Sequence, residues 1–169
     1  MMHVYMLETS AGLEEAVKQL KAGNNAPFIL VGRDFCAFRA LLEYSLLQAY
    51  KSFQRGENKA RSLDLEWLRF LAASRNVSQA LAMLMPKTQG PQTGQAKTEN
   101  STYCVASPKD VLQELKKLGK AKEIIKPTAK ELETGRAWLA KAYRLPKAAT
   151  ENYSAERLVQ EKIAVAAID

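Results

Sequence analysis

Residues 59–84 read KARSLDLEWLRFLAASRNVSQALAML and contain two short helical patterns separated by a tight polar break. In the first pattern, Leu63, Trp67 and Phe70 recur three and four positions apart, which places large apolar groups on one helical face. The second pattern, residues 77–85, is apolar almost all round, which predicts a helix buried on most sides. The two helices are therefore predicted to hold the polar break in a fixed position.

The break between the two patterns is Ser74-Arg75-Asn76. Asn76 is a residue type that caps helix N-termini, and Gln79, three positions later, can complete a capping box. Two interpretations stay open at this point. The polar residues either satisfy helix ends and nothing more, or they form a fixed cationic corner that binds a ligand.

Composition indicates one soluble globular domain, because 169 residues with 47% apolar and 25% charged side chains are ordinary for that class. No apolar run is long enough to cross a bilayer, and the start of the chain lacks a signal pattern. Two isolated cysteines, Cys36 and Cys104, make neither a disulfide framework nor a metal site. These features predict a reduced, cytoplasmic protein without membrane contact.

The net charge of +7 is concentrated in the middle of the chain. Residues 51–126 hold 14 Lys and Arg against 7 Asp and Glu, while the remainder holds 11 of each sign. Such a field favours a polyanionic partner, because each neutralised phosphate releases condensed counterions.

The fold class predicted from hydrophobic periodicity is α/β or α+β: a small mixed or antiparallel sheet of about four strands covered by seven or so helices, in a single domain spanning residues 1–169. Asp34 is expected to cap a long central helix from residue 35 to about residue 53. The polar segment 86–100 is predicted to be a mobile loop. The expected strands are residues 3–8, 28–31, 101–106 and 123–126.

Residues suited to catalysis near neutral pH are scarce in this sequence. The only histidine is His3, close to the start of the chain, and no spacing typical of metal ligands or of a dinucleotide fingerprint occurs. We therefore expect a binding module and not an enzyme, with no metal and no cofactor.

Two motifs, in this order and spacing, carry a resemblance that covers nearly the whole chain. The central one comprises Glu66, Leu68, Ala73, Ser74, Arg75, Asn76, Val77 and Ala80, and the one near the end comprises Val159, Glu161, Lys162, Ile163 and Ala164. Together they resemble the small accessory subunits of the KEOPS complex. The resemblance implies a non-catalytic subunit that binds the small atypical kinase/ATPase subunit, and through it the threonylcarbamoyl transferase subunit. It also implies capture of tRNA, notably its 3′ CCA end, in support of threonylcarbamoyladenosine formation.

Cations flanking the central motif are the expected tRNA contacts: Lys59, Arg61 and Arg75, with Lys87 as a weaker candidate. The guanidinium of Arg75 can stack on an unpaired base or bind a phosphate. The final helix, residues 154–168, has a wide apolar arc that is expected to bind the kinase subunit. Its candidate interface residues are Leu158, Val159, Ile163 and Ala166.

Two rival functions follow from the same residues. A helix-turn-helix DNA reader is disfavoured, because residues 80–84 (ALAML) would then expose a continuous apolar face to water. A protein-binding adaptor or kinase regulator that makes no nucleic-acid contact remains the main alternative.

Overall fold

The computed structural model describes residues 2–10, 13–23, 25–85 and 101–168. These residues form two compact units, each built from two separated segments. The first unit comprises Met1–Cys36 and Met85–Ile125, and the second comprises Ala37–Leu84 and Lys126–Asp169. The sequence did not predict this subdivision. The predicted loop 86–100 lies outside the described residues.

The described chain contains four strands and eight α-helices. The strands are β1 (His3–Thr9), β2 (Ile29–Gly32), β3 (Ser101–Ser107) and β4 (Lys120–Glu123). The helices are α1 (Leu13–Gly23), α2 (Arg39–Arg55), α3 (Leu63–Leu71), α4 (Val77–Leu84), α5 (Leu112–Leu118), α6 (Ala129–Ala142), α7 (Lys147–Asn152) and α8 (Ala155–Ala166). The strands form one antiparallel sheet in the order β2-β3-β1-β4, which confirms the predicted fold class.

In the first unit, alternate residues of the strands face a core shared with α1 and α5. Tyr5 and Leu7 of β1 pack there with Leu20 of α1 and Leu115 of α5, because side chains two positions apart on a strand share a face. The Tyr5 hydroxyl donates a 2.6 Å hydrogen bond to Asp110 Oδ1. Burial, reinforced by that bond, raises the pKa of Tyr5 well above its usual value.

In the second unit, α2 and α3 pack through the apolar face predicted from the sequence. Trp67 is fully buried, and its Nε1 donates to the Leu42 carbonyl oxygen at 3.1 Å and to Ser45 Oγ at 3.0 Å. A buried indole N–H needs such acceptors, since leaving it unpaired is costly. Trp67 thus fixes the position of α3 on α2.

The predicted start of the long helix is wrong. Arg33–Ala37 forms a 3-10 helix, and α2 begins only at Arg39, with Phe38 as its N-cap residue. Asp34 therefore does not cap α2. The apolar run continued through both helices without a break, so periodicity alone could not separate them.

Three other boundaries differ from the predictions. The fourth strand lies at residues 120–123 instead of 123–126, because Ala121 is the residue that packs against the core while Ile125 is 80% exposed. Residues 147–152 form α7, although Pro146 before them is typical of a turn. Ser107-Pro108 predicts a helix start directly after β3, but α5 begins only at Leu112.

The expectation that α4 is buried on most sides is also wrong. Only Ala80 and Leu84 of this helix are buried, whereas Ser78, Gln79 and Ala82 are exposed. Among the described elements α4 packs mainly on α3, so one stripe of this short helix is enough for the contact.

Candidate functional site

The end of α3 adopts a left-handed turn at a residue that is not glycine. The N–H of Ala73 donates to the Phe70 carbonyl at 2.8 Å, and that of Ser74 to the Arg69 carbonyl at 3.1 Å, as in a Schellman motif. Ala73 has a φ of 48°, a conformation that costs an L-residue about 1–2 kcal/mol. Surrounding contacts must therefore hold this turn in place.

One such contact begins at a buried ion pair on α3. Arg69 Nη2 donates to Glu66 Oε1 at 2.7 Å and Arg69 Nε to Glu66 Oε2 at 3.1 Å, and both side chains are almost fully buried. The Ser52 hydroxyl and the Ala60 N–H also donate to the Glu66 carboxylate, at 3.0 and 2.9 Å. Burial by itself raises the pKa of Glu66, but these hydrogen bonds outweigh it and hold that pKa below its usual value.

The same arginine reaches the turn between α3 and α4. Arg69 Nη1 donates to the Ser74 carbonyl oxygen at 3.3 Å. From the other side, the Tyr143 hydroxyl at the end of α6 donates to the Leu71 carbonyl oxygen, and burial raises the pKa of Tyr143. The buried side chains of Arg69 and Tyr143 therefore hold the backbone of the turn that leads to Arg75.

The start of α4 completes the corner. Asn76 Oδ1 accepts the Ser78 N–H at 2.7 Å, which confirms the predicted helix cap. The predicted capping box is wrong, because Gln79 Oε1 pairs with the Ser74 hydroxyl at 3.3 Å instead of with the Asn76 N–H. The Ser74 hydroxyl oxygen accepts the Asn76 N–H at 3.1 Å and so takes the role that the sequence assigned to the Gln79 side chain.

A cleft of about 540 Å³ opens beside this corner, and we call it the corner cleft. A second left-handed turn lies at its wall, since Arg144 at the end of α6 has a φ of 49° and Leu145 lines the cleft. The walls are mostly apolar, with charged groups from Arg75, Glu161 and Lys162. Its lining residues are Ala73, Arg75, Leu145, Pro146, Ala149, Leu158, Glu161, Lys162, Val165 and Ala166.

The structure brings three of the predicted site residues together. Arg75, expected to bind nucleic acid, lines the corner cleft with Leu158 and Ala166, which were expected to bind a protein. Lys59 instead lines a second cleft of about 350 Å³, together with Arg69 and other residues. Arg61 is exposed two positions after Lys59. Lys87 lies outside the described residues.

Two of the predicted interface residues are buried inside the protein. Val159 and Ile163 are fully buried within the second unit, so they have no surface to offer a partner, and their assignment to the interface is wrong. They form the i, i+4 stripe on which α8 packs inside its own unit. On the same helix Val165 is 59% exposed and Leu158 is partly buried.

The buried pair of Glu66 and Arg69 was not predicted as part of the site. The sequence placed Glu66 in the central motif but gave Arg69 no role. One signal was present: opposite charges three positions apart, in the run LDLEWLRFL whose only other charged residue is Asp64, are typical of an i, i+3 ion pair.

Within the described part of the chain, no group of three or more His, Cys, Asp and Glu side chains could hold a metal ion. None of the described helices is both long and apolar enough to cross a membrane. Comparison with models of known protein families and with curated proteins found no match to this chain.

Proposed function

We propose that the protein is a cytoplasmic, non-catalytic subunit of the KEOPS complex that binds tRNA and the small kinase/ATPase subunit. In this role it supports threonylcarbamoyladenosine formation and contacts the transferase subunit only indirectly. The resemblance of the central motif supports this proposal, because its residues are connected in the structure. The Glu66 carboxylate binds Arg69, Arg69 binds the Ser74 carbonyl oxygen, and Ala73 and Arg75 line the corner cleft beside it.

The observation that carries the proposal is the position of Arg75. Its side chain is exposed on a backbone held by Arg69 and Tyr143, beside a largely apolar cleft. Holding the backbone in place lowers the conformational freedom that binding must remove, and a guanidinium has both a planar face and several N–H donors. An unpaired base can stack on its face while a phosphate binds at its edge, a combination suited to a single-stranded tRNA end.

The test is a titration of tRNA by filter binding at several salt concentrations. Charge reversal at Lys59 and Arg61 weakens binding and lowers the magnitude of the slope of log K against log salt by about 1 for each lost phosphate contact. Arg75→Ala weakens binding more than Arg75→Lys, because lysine keeps the charge but not the stacking plane. Removing the 3′ CCA end weakens binding of the wild-type protein.

A matched control changes the net charge by the same amount as the charge reversal at Lys59 and Arg61. Lys130→Glu with Lys141→Glu alters two exposed lysines of α6 that lie outside both clefts. This variant is expected to bind tRNA nearly as well as the wild type. Unchanged affinity after both charge reversal at Lys59 and Arg61 and CCA removal would contradict tRNA binding at the corner.

The adaptor without nucleic-acid contact is supported by a separate observation. Val165 and Ile168, at the end of α8, are 59% and 86% exposed, and Val165 lines the corner cleft beside Leu158. Large exposed aliphatic groups next to a cleft are typical anchors of a protein interface. Val165→Arg is expected to weaken co-purification with the kinase subunit by about tenfold or more in affinity.

The proposal also includes the absence of intrinsic catalysis. The purified chain is expected neither to hydrolyse ATP nor to form threonylcarbamoyladenylate. Turnover by the pure chain that is lost on mutation of one of its own residues would contradict this.

A further inference from the structure

We infer that four lysines at the end of α5 and along β4 form a second binding site, one for the phosphate backbone of double-stranded RNA. We call these residues the lysine strip: Lys116, Lys117, Lys120 and Lys122. All four belong to the first compact unit, whereas the corner cleft belongs to the second. The strip extends the RNA contact of the proposed function, on which it rests, and adds a different surface and a different part of the RNA.

The position of the strip follows from the register of β4. This strand forms an edge of the described sheet and pairs with β1, with Lys122 opposite Met6 and Lys120 opposite Glu8. Ala121, between them, packs into the core with α1 and α5. Lys120 and Lys122 therefore project from the other face of the sheet, about 6.6 Å apart along the strand.

The other two lysines come from the helix that precedes the strand. Lys116 and Lys117 lie in the last turn of α5, which packs against β4. The two elements are joined at Gly119, where an added Cβ would lie 2.2 Å from the Glu8 carbonyl oxygen. This close approach keeps the end of α5 beside the edge strand, so positive charge lies on both sides of β4.

The charge of the strip is not neutralised by ion pairs with neighbouring carboxylates. All four side chains are exposed, and none makes an ion pair with a carboxylate of the described residues. Three of the described acids lie nearby without such a pair. Glu123 is bound to His3 at 3.0 Å. Asp110 accepts from the Tyr5 hydroxyl and interacts with Lys116 only at longer range. Glu8 is opposite Lys120 in the register of β1 and β4. By contrast, Arg55 and Arg136 are paired with glutamates at 3.1 and 2.9 Å.

A structural role accounts for only part of this arrangement. Lysines on an edge strand discourage pairing with other chains, which explains Lys120 and Lys122. Cations in the last turn of a helix interact favourably with its dipole, which explains the presence of Lys116 or Lys117 at the end of α5. Neither effect requires four exposed lysines that make no ion pair within seven residues on adjoining elements.

The chemistry of the strip selects the RNA backbone and not its bases. The four residues offer ammonium groups on flexible stems and no aromatic or guanidinium plane on which a base could stack. Ammonium groups bind phosphates as point charges without reading sequence. A duplex, whose bases are hidden and whose phosphates are dense, is the form of RNA that fits such a surface.

The test uses the full chain and a blunt RNA duplex of about 20 base pairs that has no single-stranded CCA end. Two variants neutralise the strip, Lys120→Gln with Lys122→Gln and Lys116→Gln with Lys117→Gln. Glutamine avoids placing a like charge opposite Glu8. The control, Lys130→Gln with Lys141→Gln, makes the same change in net charge on α6.

Each strip variant is expected to weaken duplex binding roughly tenfold or more at 50 mM salt. Each is also expected to reduce the salt slope by about 2, since two phosphate contacts are lost. Lys120→Arg with Lys122→Arg is expected to bind like the wild type, because the charge is kept. Circular dichroism confirms that the variants fold.

Duplex affinity that is the same in the strip variants and the control overturns the inference. Absence of duplex binding by the wild type overturns it as well. The proposed function is judged separately, by the effect of CCA removal and of Lys59 and Arg61 reversal on tRNA. If the tRNA tests give the expected results and the duplex test does not, tRNA binding at the corner stands and the lysine strip is rejected as a binding site.

Discussion

Arg69 Nη2 lies 2.7 Å from Glu66 Oε1, and both side chains are almost completely removed from water. The same guanidinium reaches the Ser74 carbonyl oxygen through Nη1. The pair therefore connects the interior of α3 to the turn that carries Arg75. Removing Glu66 leaves the buried Arg69 guanidinium without a counter-ion. Removing Arg69 leaves the Glu66 carboxylate with two hydrogen bonds from neutral donors, the Ser52 hydroxyl and the Ala60 N–H. The two changes therefore have different consequences for stability.

Glu66→Gln is expected to lower the free energy of unfolding by about 3–5 kcal/mol, because it leaves the Arg69 guanidinium buried without a counter-ion. Urea unfolding followed by circular dichroism measures this loss. Glu57→Gln, which breaks the exposed pair of Glu57 with Arg55, should cost at most about 1 kcal/mol. Equal losses in the two variants would show that the Glu66 pair is solvated.

The double variant Glu66→Gln with Arg69→Met should recover most of the stability lost in Glu66→Gln. An apolar side chain of similar length avoids the cost of burying a charge. The introduced glutamine can place its amide oxygen at the Oε2 position to accept from the Ala60 N–H, while its NH2 group at the Oε1 position donates to the Ser52 hydroxyl oxygen. tRNA affinity is expected to stay reduced in this variant, since Ser74 loses its guanidinium donor and the corner is no longer fixed. Wild-type affinity in a stable double variant would show that the pair does not position Arg75.

Acid should weaken the contribution of the Glu66 pair. The folded-state pKa of Glu66 lies below the unfolded-state value of about 4.3, so the folded protein binds fewer protons there. The pair therefore stabilises fully above that pH, and its contribution shrinks as the pH falls through and below it. The difference in unfolding free energy between the wild type and Glu66→Gln should narrow between pH 5 and pH 3, roughly the range in which this carboxylate is protonated on unfolding. A difference in unfolding free energy that does not change with pH would contradict the lowered pKa of Glu66.

Ala73→Gly should leave the free energy of unfolding unchanged or raise it by up to about 1.5 kcal/mol. Glycine removes the left-handed strain of about 1–2 kcal/mol, offset by about 0.4–1 kcal/mol of extra unfolded-state entropy. Ala72→Gly is the matched control, because Ala72 has a φ of −75° and should lose about 0.5–1 kcal/mol. Thermal unfolding of both variants tests this, and an equal loss in both would exclude the left-handed turn.

Both thiols should be unreactive in the folded protein. Cys36 and Cys104 are buried, and burial, together with the neighbouring Cys36 thiol, raises the pKa of Cys104 well above its usual value. Reaction with a disulfide reagent is expected to be slower by roughly a hundredfold or more than in 6 M guanidinium chloride. Fast reaction of either thiol under native conditions would contradict the packing of β3 on the 3-10 helix.

Substitutions on α8 should separate its inner and outer faces. Ile163→Arg places a charge at a fully buried position and is expected to cost more than about 3 kcal/mol. Val165→Arg, two positions later and 59% exposed, should change stability by no more than about 0.5 kcal/mol. Thermal unfolding compares the two, and a folded, stable Ile163→Arg variant would show that α8 is oriented differently.

The sequence by itself determined the kinds of elements and much of their order. The apolar run of β1 and the spacing of Leu63, Trp67 and Phe70 on α3 are local patterns, so one chain segment suffices to predict them. The predicted Asn76 cap is equally local, and it is present. The same patterns predicted a sheet of about four strands, either mixed or antiparallel, and the structure shows that all of its strand pairs are antiparallel.

Only the tertiary structure decided which apolar and charged groups face inward. Periodicity placed Val159, Ile163 and Val165 of α8 on one wide arc, and only packing on other helices buries the first two and exposes the third. The spacing of Arg69 from Glu66 was visible in the sequence, but the Ser74 carbonyl that Arg69 reaches and the donors that share its glutamate lie outside its own helix. Burial depends on contacts between residues far apart in sequence, and a local pattern does not contain them.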